Sequence, residues 1–352
     1  MFLNSLNYFR AIAILMIVAG HTFDYAGISF ESIPARTLGN LLSGGTSLFV
    51  FISGFLFHHI FYRRYQFKKF MSGKLKKVLL PYTLLSIVPI LITVISVDAV
   101  YSYQNPGGTG FLHTGLIGHY LIPAIRYYAT GSIVAAYWYI PFVMLVFLMS
   151  PLHIGFIGLK LKHRLIITLL LTVISLFMHR PVHNGIILQS LIYFTPVYLI
   201  GIICSQQREN VYAFFKNKEI YLLIIAVVLA AIQAAQGDVS NYRKPPFVYG
   251  GIDTMLLQKT ALCFFFMVWL HRFEAVNARL LNLIAATSFA IYFLHMWMLK
   301  GLSRVVVRLD VSAISPWFLY LVLVAVTVLL SVGIALTLKK ILHKNSRYII
   351  GY

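Results

Sequence analysis

The sequence predicts an all-α, polytopic integral membrane protein of about ten transmembrane helices, with both termini cytoplasmic. Three observations carry that prediction. Of 352 residues, 60% are hydrophobic and 11% charged, and mean hydropathy is +0.83; a soluble domain carries about 25% charged residues. Too little polar surface is left to cover a water-soluble body of this size, so lipid must cover the rest. Apolar runs long enough to cross a bilayer recur along the whole chain, each with its connection taking about 30–35 residues. The cations lie between these runs, mostly on one side, as cytoplasmic loops do. The net charge of +20 would point to nucleic acid in a soluble protein; here it reads as topology, and no nucleic-acid partner is expected.

The first run covers 8–25. Its Val18-Ala19-Gly20 offers small residues that a signal peptidase accepts. No Lys or Arg precedes Arg10, however, and nine further runs follow, so the segment is read as a retained helix. The second run, 45–61, ends on His58-His59, an interfacial pair. A basic loop, 62–77, then leads into the third run, 78–97. Residues 98–133 form the longest connection, with a turn at Pro106-Gly107-Gly108 and an amphipathic piece around 112–128 that should lie along the interface. The remaining runs are 134–151, 165–178 (the shortest), 186–204, 219–236, 253–271, 282–300 and 316–338. No repeat and no room for a soluble domain are visible, so 1–352 reads as one transmembrane domain. Cys204 and Cys263 sit in separate runs without CxxC spacing, which argues against a disulfide framework or a zinc site. His179 and His183 have metal-like spacing, but Pro181 between them breaks the helix that spacing needs. No metal is expected.

Orientation follows from the cations. Loop 62–77 carries Arg63, Arg64, Lys68, Lys69, Lys74, Lys76 and Lys77. With loops 152–164, 205–218, 272–281 and the tail after 338, this side holds nineteen Lys and Arg against eight on the other. The richer side is cytoplasmic, and an even number of spans puts both termini there.

Ionisable residues inside a span are costly and mark function by default. Arg10 and His21 share the first span, eleven residues apart. At about 100° per residue this is three turns plus about 20°, so both lie on one face with a rise of about 16 Å between them. Asp24 follows His21 by three residues and falls within reach on that face. A histidine paired with a carboxylate gains the tautomer and basicity for taking a proton from a hydroxyl. The plainer reading is that Arg10 snorkels and His21 is interfacial. Lys259 lies in the eighth span; Asp253, six residues earlier, is on nearly the opposite face, and Lys259 reads as snorkelling outward. His295, three residues after Tyr292, lies within the ninth span.

The first span, Tyr8-Phe9-Arg10-Ala11-Ile12-Ala13-Ile14-Leu15 through Gly20-His21, resembles the signature of the membrane acyltransferase-3 family, an Arg or Lys followed after ten residues by a His. Four further segments agree in order. Ser47-Leu48-Phe49-Val50-Phe51-Ile52-Ser53-Gly54-Phe55-Leu56 is similar to the family's aromatic second span. Lys74-Leu75-Lys76-Lys77 before Leu80-Pro81-Tyr82 resembles its basic approach to the third. Tyr137-Trp138-Tyr139-Ile140-Pro141 resembles the start of the fourth, and Ser288-Phe289-Ala290-Ile291-Tyr292-Phe293-Leu294-His295 its ninth-span segment. The match runs over about 5–340.

The resemblance implies a ten-span bundle in the bacterial inner membrane. Such a bundle takes an acyl group, usually acetyl, from cytosolic acyl-CoA and passes it to a sugar hydroxyl of a surface polysaccharide or glycolipid. It implies His21 and Arg10 as the catalytic pair, with Asp24 added from the spacing above. It implies Lys74 and Lys77 as the basic pair on the CoA side, supported by Arg63 and Arg64 in the same loop. Both positions are Lys where the family shows Arg, which keeps charge but loses bidentate geometry. Tyr292, His295, Trp138 and Ser53 are second-tier candidates. Some relatives carry a C-terminal esterase-like domain; none is seen before Tyr352, so such a partner, like any glycan-assembly protein, is expected as a separate chain. The rival reading is a transporter of glycan or lipid-linked sugar, which would show inverted repeats and matched broken helices.

Overall fold

Polar residues confined to the ends of apolar runs leave helices as the only way to satisfy the backbone in lipid. The computed structural model describes residues 3–95, 117–182, 186–309 and 314–352, and these are mostly helical with no strands; an isolated bridge pairs Arg180 with Arg243. Helix α1 is Asn4–Thr22, followed by a 3₁₀ turn at Asp24–Ala26, then α2 (Ile33–Leu42) and α3 (Thr46–Leu56). A π segment, Phe57–Phe61, and a 3₁₀ turn, Tyr62–Arg64, end this arm. Helix α4 (Phe67–Lys74) runs through a second π segment, Leu75–Leu79, into α5 (Leu80–Ile95). After α6 (Ile122–Thr130) come α7 (Tyr139–Leu148), α8 (Ser150–Gly158), α9 (Leu161–Met178) and α10 (Ile187–Gln206). Then follow α11 (Arg208–Phe215), α12 (Glu219–Ala235), α13 (Thr254–His271), α14 (Arg279–Arg308), α15 (Pro316–Leu342) and α16 (Ser346–Ile349).

Among the described residues, seven helical stretches are long and apolar enough to cross a membrane, or nine if each of two bent pairs is one span. Helix α1 falls outside that count because Asn4, Asn7, Arg10 and His21 dilute its hydropathy. At 19 residues it is long enough, and it packs against α3, α13, α14 and α15. It is the polar helix at the centre of an apolar bundle. Exposed Leu, Ile and Val crowd the outer faces of α9, α12 and α15, where lipid would cover them.

Three expected boundaries change. The basic loop 62–77 is mostly helix: Phe67, Phe70, Met71, Leu75 and Val78 recur at helical spacing and carry α4 into α5. The fourth span breaks by 52° between α7 and α8, where Pro151 enters the first turn of α8. Loop 205–218 contains α11, set at 85° to α12. Of the long connection, the turn at Pro106-Gly107-Gly108 and residues 112–116 lie outside the described residues. The amphipathic piece beyond them is helical, with Tyr127 of α6 packed on Ile90 and Val94 of α5.

Two glycines set the closest approach in the bundle. A Cβ on Gly54 of α3 would stand 2.0 Å from the Tyr198 carbonyl oxygen, and one on Gly201 of α10 would stand 2.2 Å from that of Phe51. Only hydrogen fits between these backbones, which brings α3 and α10 together as small residues do in membrane helices. At the other side of α1, the Glu274 carboxylate accepts from the amides of Asn4 (2.6 Å) and Ser5 (3.1 Å), capping the helix that carries the site.

Candidate active site

Arg10 and His21 both line one cavity of about 1200 Å³. Helix α1 forms one wall from end to end, as the eleven-residue spacing requires. The two ends are polar. Between them Phe49, Ile52, Tyr139, Val143, Phe289 and Tyr292 make an apolar and aromatic waist.

At the Arg10 end, the guanidinium donates to Ser288 Oγ at 3.0 Å. Arg64, Lys69, Lys74, Lys76, Lys77 and Arg347 line the same end. Lys74 is half-buried, with Nζ 4.2 Å from the Phe147 ring centroid, 4.8 Å from Phe61 and 5.1 Å from Phe70. Three aromatic faces stabilise the ammonium without neutralising it, so it keeps a charge to offer an anion. Arg63 is exposed nearby and does not line the cavity. The π segments Phe57–Phe61 and Leu75–Leu79 both contribute here, a placement common at functional sites.

At the other end, His21 closes the last turn of α1. Its ring lies against that of His295 at a 40° tilt, with centroids 5.4 Å apart. His295 is fully buried, and its Nδ1–H donates to the Ile291 carbonyl at 3.0 Å. That bond assigns the lone pair to Nε2, which is buried without a hydrogen-bond partner. Asp24 also lines the cavity, but α1 ends at Thr22 and Asp24 sits exposed on the following turn. No hydrogen bond or ion pair joins it to His21 among the described residues. His295, not Asp24, is the group against the imidazole.

The second-tier residues shape the walls. Tyr292 OH donates to the Ala136 carbonyl at 2.6 Å, and Tyr137 OH to that of Phe293 at 3.2 Å, pinning the 131–138 turn to α14. Trp138 lines the cavity and lies under the Arg180 guanidinium, 5.2 Å from ring centroid to Cζ. Ser53 lines the waist from α3.

A family profile described as an acyltransferase domain matches residues 3–336, nearly the whole chain. The chain belongs to the acyltransferase-3 family. It is a multi-pass membrane acyltransferase, and the Arg10–His21 register lies within the matched region. No curated protein and no solved structure matches the chain.

Several residues of this acyltransferase's cavity escape sequence reading. Arg180, Asn241 and Arg243 wall the His21 end, brought together by the bridge between 180 and 243 and the Lys244 N–H donating to the Arg180 carbonyl at 3.0 Å. The one hint is that Arg180 and Arg243 are cations on the poorer side of the topology. Lys259 does not snorkel. It is 1% exposed and donates to the carbonyls of Asn40 (2.9 Å) and Leu41 (2.8 Å), at the C-terminal end of α2. It thereby holds Ser43–Gly45, which form the cavity wall beside His21. Asp253 instead caps α13, accepting from Leu256 N at 3.1 Å. His179 packs on Tyr242 at a 38° tilt, centroids 4.6 Å apart; His183 lies outside the described residues.

Proposed function

We propose that this acyltransferase moves an acyl group, acetyl as the first expectation, from cytosolic acyl-CoA to a hydroxyl of a polysaccharide or glycolipid on the far side of the bacterial inner membrane. One observation supports this most. A single cavity joins a strongly basic end, on the side the cation bias assigns to the cytoplasm, to a histidine about 16 Å further along α1. The basic end suits the phosphates of CoA, with Lys74, Lys77 and Arg64 on the cavity wall and Arg10 deeper. The pantetheine arm then extends through the waist and presents its thioester to His21.

His21 acts as general base in this reading. It takes the proton of the acceptor hydroxyl as the oxygen attacks the thioester carbonyl. The tetrahedral intermediate collapses, the C–S bond breaks, and the CoA thiolate takes the proton from His21. His295 holds the imidazole in place from behind. The aromatic waist keeps water from the thioester.

Membranes containing the protein, given radiolabelled acetyl-CoA, should release CoA and label a glycan fraction only while His21 is intact. His21→Ala should abolish labelling with the protein still inserted and still binding acetyl-CoA. Retained labelling would remove His21 from the reaction. CoA release without any labelled ester would count against transfer to a glycan.

A further inference from the structure

The His21 end carries more positive charge than a neutral sugar requires. Arg180 is 5% exposed and lines the cavity, in the connection between α9 and α10. A guanidinium can donate five hydrogen bonds. Arg180 Nη1 donates to Asn241 Oδ1, and the guanidinium packs on Trp138 and Phe194, with Cζ 5.2 Å and 5.5 Å from the ring centroids. No carboxylate forms a salt bridge with it among the described residues. Asp253, within electrostatic reach, has Oδ1 engaged by Leu256 N. Burial and the neighbouring Arg243 pull the Arg180 pKa down to about 10, which still leaves it charged at neutral pH.

Arg243 lines the same end, and both arginines lie within electrostatic range of His21. Asp24 is the acidic side chain on this part of the wall, exposed on its turn and suited to sugar hydroxyls. The chain builds this place deliberately. Asn40, fully buried, ties the loop that carries Asn241 and Arg243 to α2. Its Oδ1 accepts from Ser240 N at 2.7 Å, and its Nδ2 donates to the carbonyl of Asp238 at 3.1 Å. A buried cation resting on two aromatic rings is costly unless an anion completes it. An arginine fork matches the planar, two-oxygen face of a carboxylate or phosphate.

We propose that the acceptor carries an anionic group, a carboxylate or a phosphate, next to the hydroxyl that is acylated, and that Arg180, with Arg243 beside it, binds that group. The anion fixes which hydroxyl faces His21, so Arg180 selects the acceptor and its register. This rests on the acyl-transfer reading above and adds the chemical class of the acceptor to it.

The test uses membranes of cells that make the protein, labelled with acetyl-CoA, and mass spectrometry of the ester-bearing glycan fragments. Those fragments should carry an acid group at the acylated unit or its neighbour. Carbodiimide–borohydride reduction shifts their mass if the group is a carboxylate, and hydrofluoric acid removes it if it is a phosphate. Arg180→Gln should lower transfer at least about thirtyfold while acetyl-CoA affinity stays within about twofold, with partial recovery in Arg180→Lys. Neutral ester-bearing fragments would overturn the proposal, even if Arg180→Gln failed to fold. Transfer by Arg180→Gln at the native rate would overturn it too. Release of CoA by the native protein with no ester-bearing glycan fragment at all would instead sink the acyl-transfer reading.

Discussion

Replacing Lys74 with Met separates a donor dock from a basic segment that merely satisfies topology. Lys74 Nζ lies within about 5 Å of three ring centroids and lines the cavity. Lys68, on the same helix, is exposed and does not line it. A singly charged phosphate oxygen about 5 Å from Nζ gains roughly 3 kcal/mol at an effective dielectric of about 20. Desolvation and side-chain ordering take back part of this, leaving about 1–2 kcal/mol, or about five- to thirtyfold in Kd. Methionine keeps the apolar stem and packs well on rings, so Lys74→Met removes charge without opening a hole between Phe61, Phe70 and Phe147. Lys68→Met removes an equal charge from water, where screening over about 8–10 Å leaves an effect below about twofold. Isothermal titration of CoA into both variants at low and high salt reads the difference. Lys74→Met should weaken binding five- to thirtyfold and flatten its salt dependence. Equal weakening by both variants would mean that only net charge matters, and unchanged affinity in Lys74→Met would remove the residue from the dock.

Gly54→Ala should lower the melting temperature by several degrees, since a Cβ 2.0 Å from the Tyr198 oxygen forces α3 and α10 apart at a cost of about 1–3 kcal/mol; Gly333→Ala, with open space around it, should not, and matching melts would refute the close-packing argument. Lys259→Met should destabilise by about 2–4 kcal/mol, because it strips the buried carbonyls of Asn40 and Leu41 of their charged donor; a denaturation midpoint at the native value would show that the ammonium is dispensable. Asp24→Asn should leave initial transfer rates within about threefold of native, as expected for a rim residue outside the proton path; a loss equal to that of His21→Ala would place the carboxylate in the chemistry.

How legible the fold was depends on which forces write it. Apolar runs record where the chain meets lipid, so the spans could be read one by one and the all-helical class with them. The Arg10–His21 register was legible because both residues sit on one helix, and helical geometry alone relates them. What could not be read depends on contacts between distant segments. Nothing local distinguishes a lysine that reaches a carbonyl of another helix, as Lys259 does, from one that snorkels to the interface. Arg180 and Arg243 are 63 positions apart and meet only through a bridge between two loops. The α4 extension is hidden for a different reason: its lysines read as a loop, although the apolar residues between them keep a helical period.

The alternation of basic end, apolar waist and histidine end bears on how far a donor can travel. On the proposed reading, CoA brings several phosphates to the basic end, and each would lose its partners on entering a waist lined by Phe49, Ile52, Tyr139, Phe289 and Tyr292. Moving a charge from a polar site into such surroundings costs several kcal/mol. The pantetheine arm and the thioester are uncharged and pay far less. On that reading the nucleotide would act as a stop, and the length of the arm beyond it would decide where the acyl carbon comes to rest. No moving gate is needed to keep CoA on its own side. Acetyl-pantetheine, which lacks every phosphate, should then raise KM strongly and leave kcat nearly unchanged, because the groups at the histidine end meet the same thioester. A fall in kcat with unchanged KM would mean that the phosphates take part in aligning the reacting carbon, and the stop would have to lie elsewhere than at the basic end.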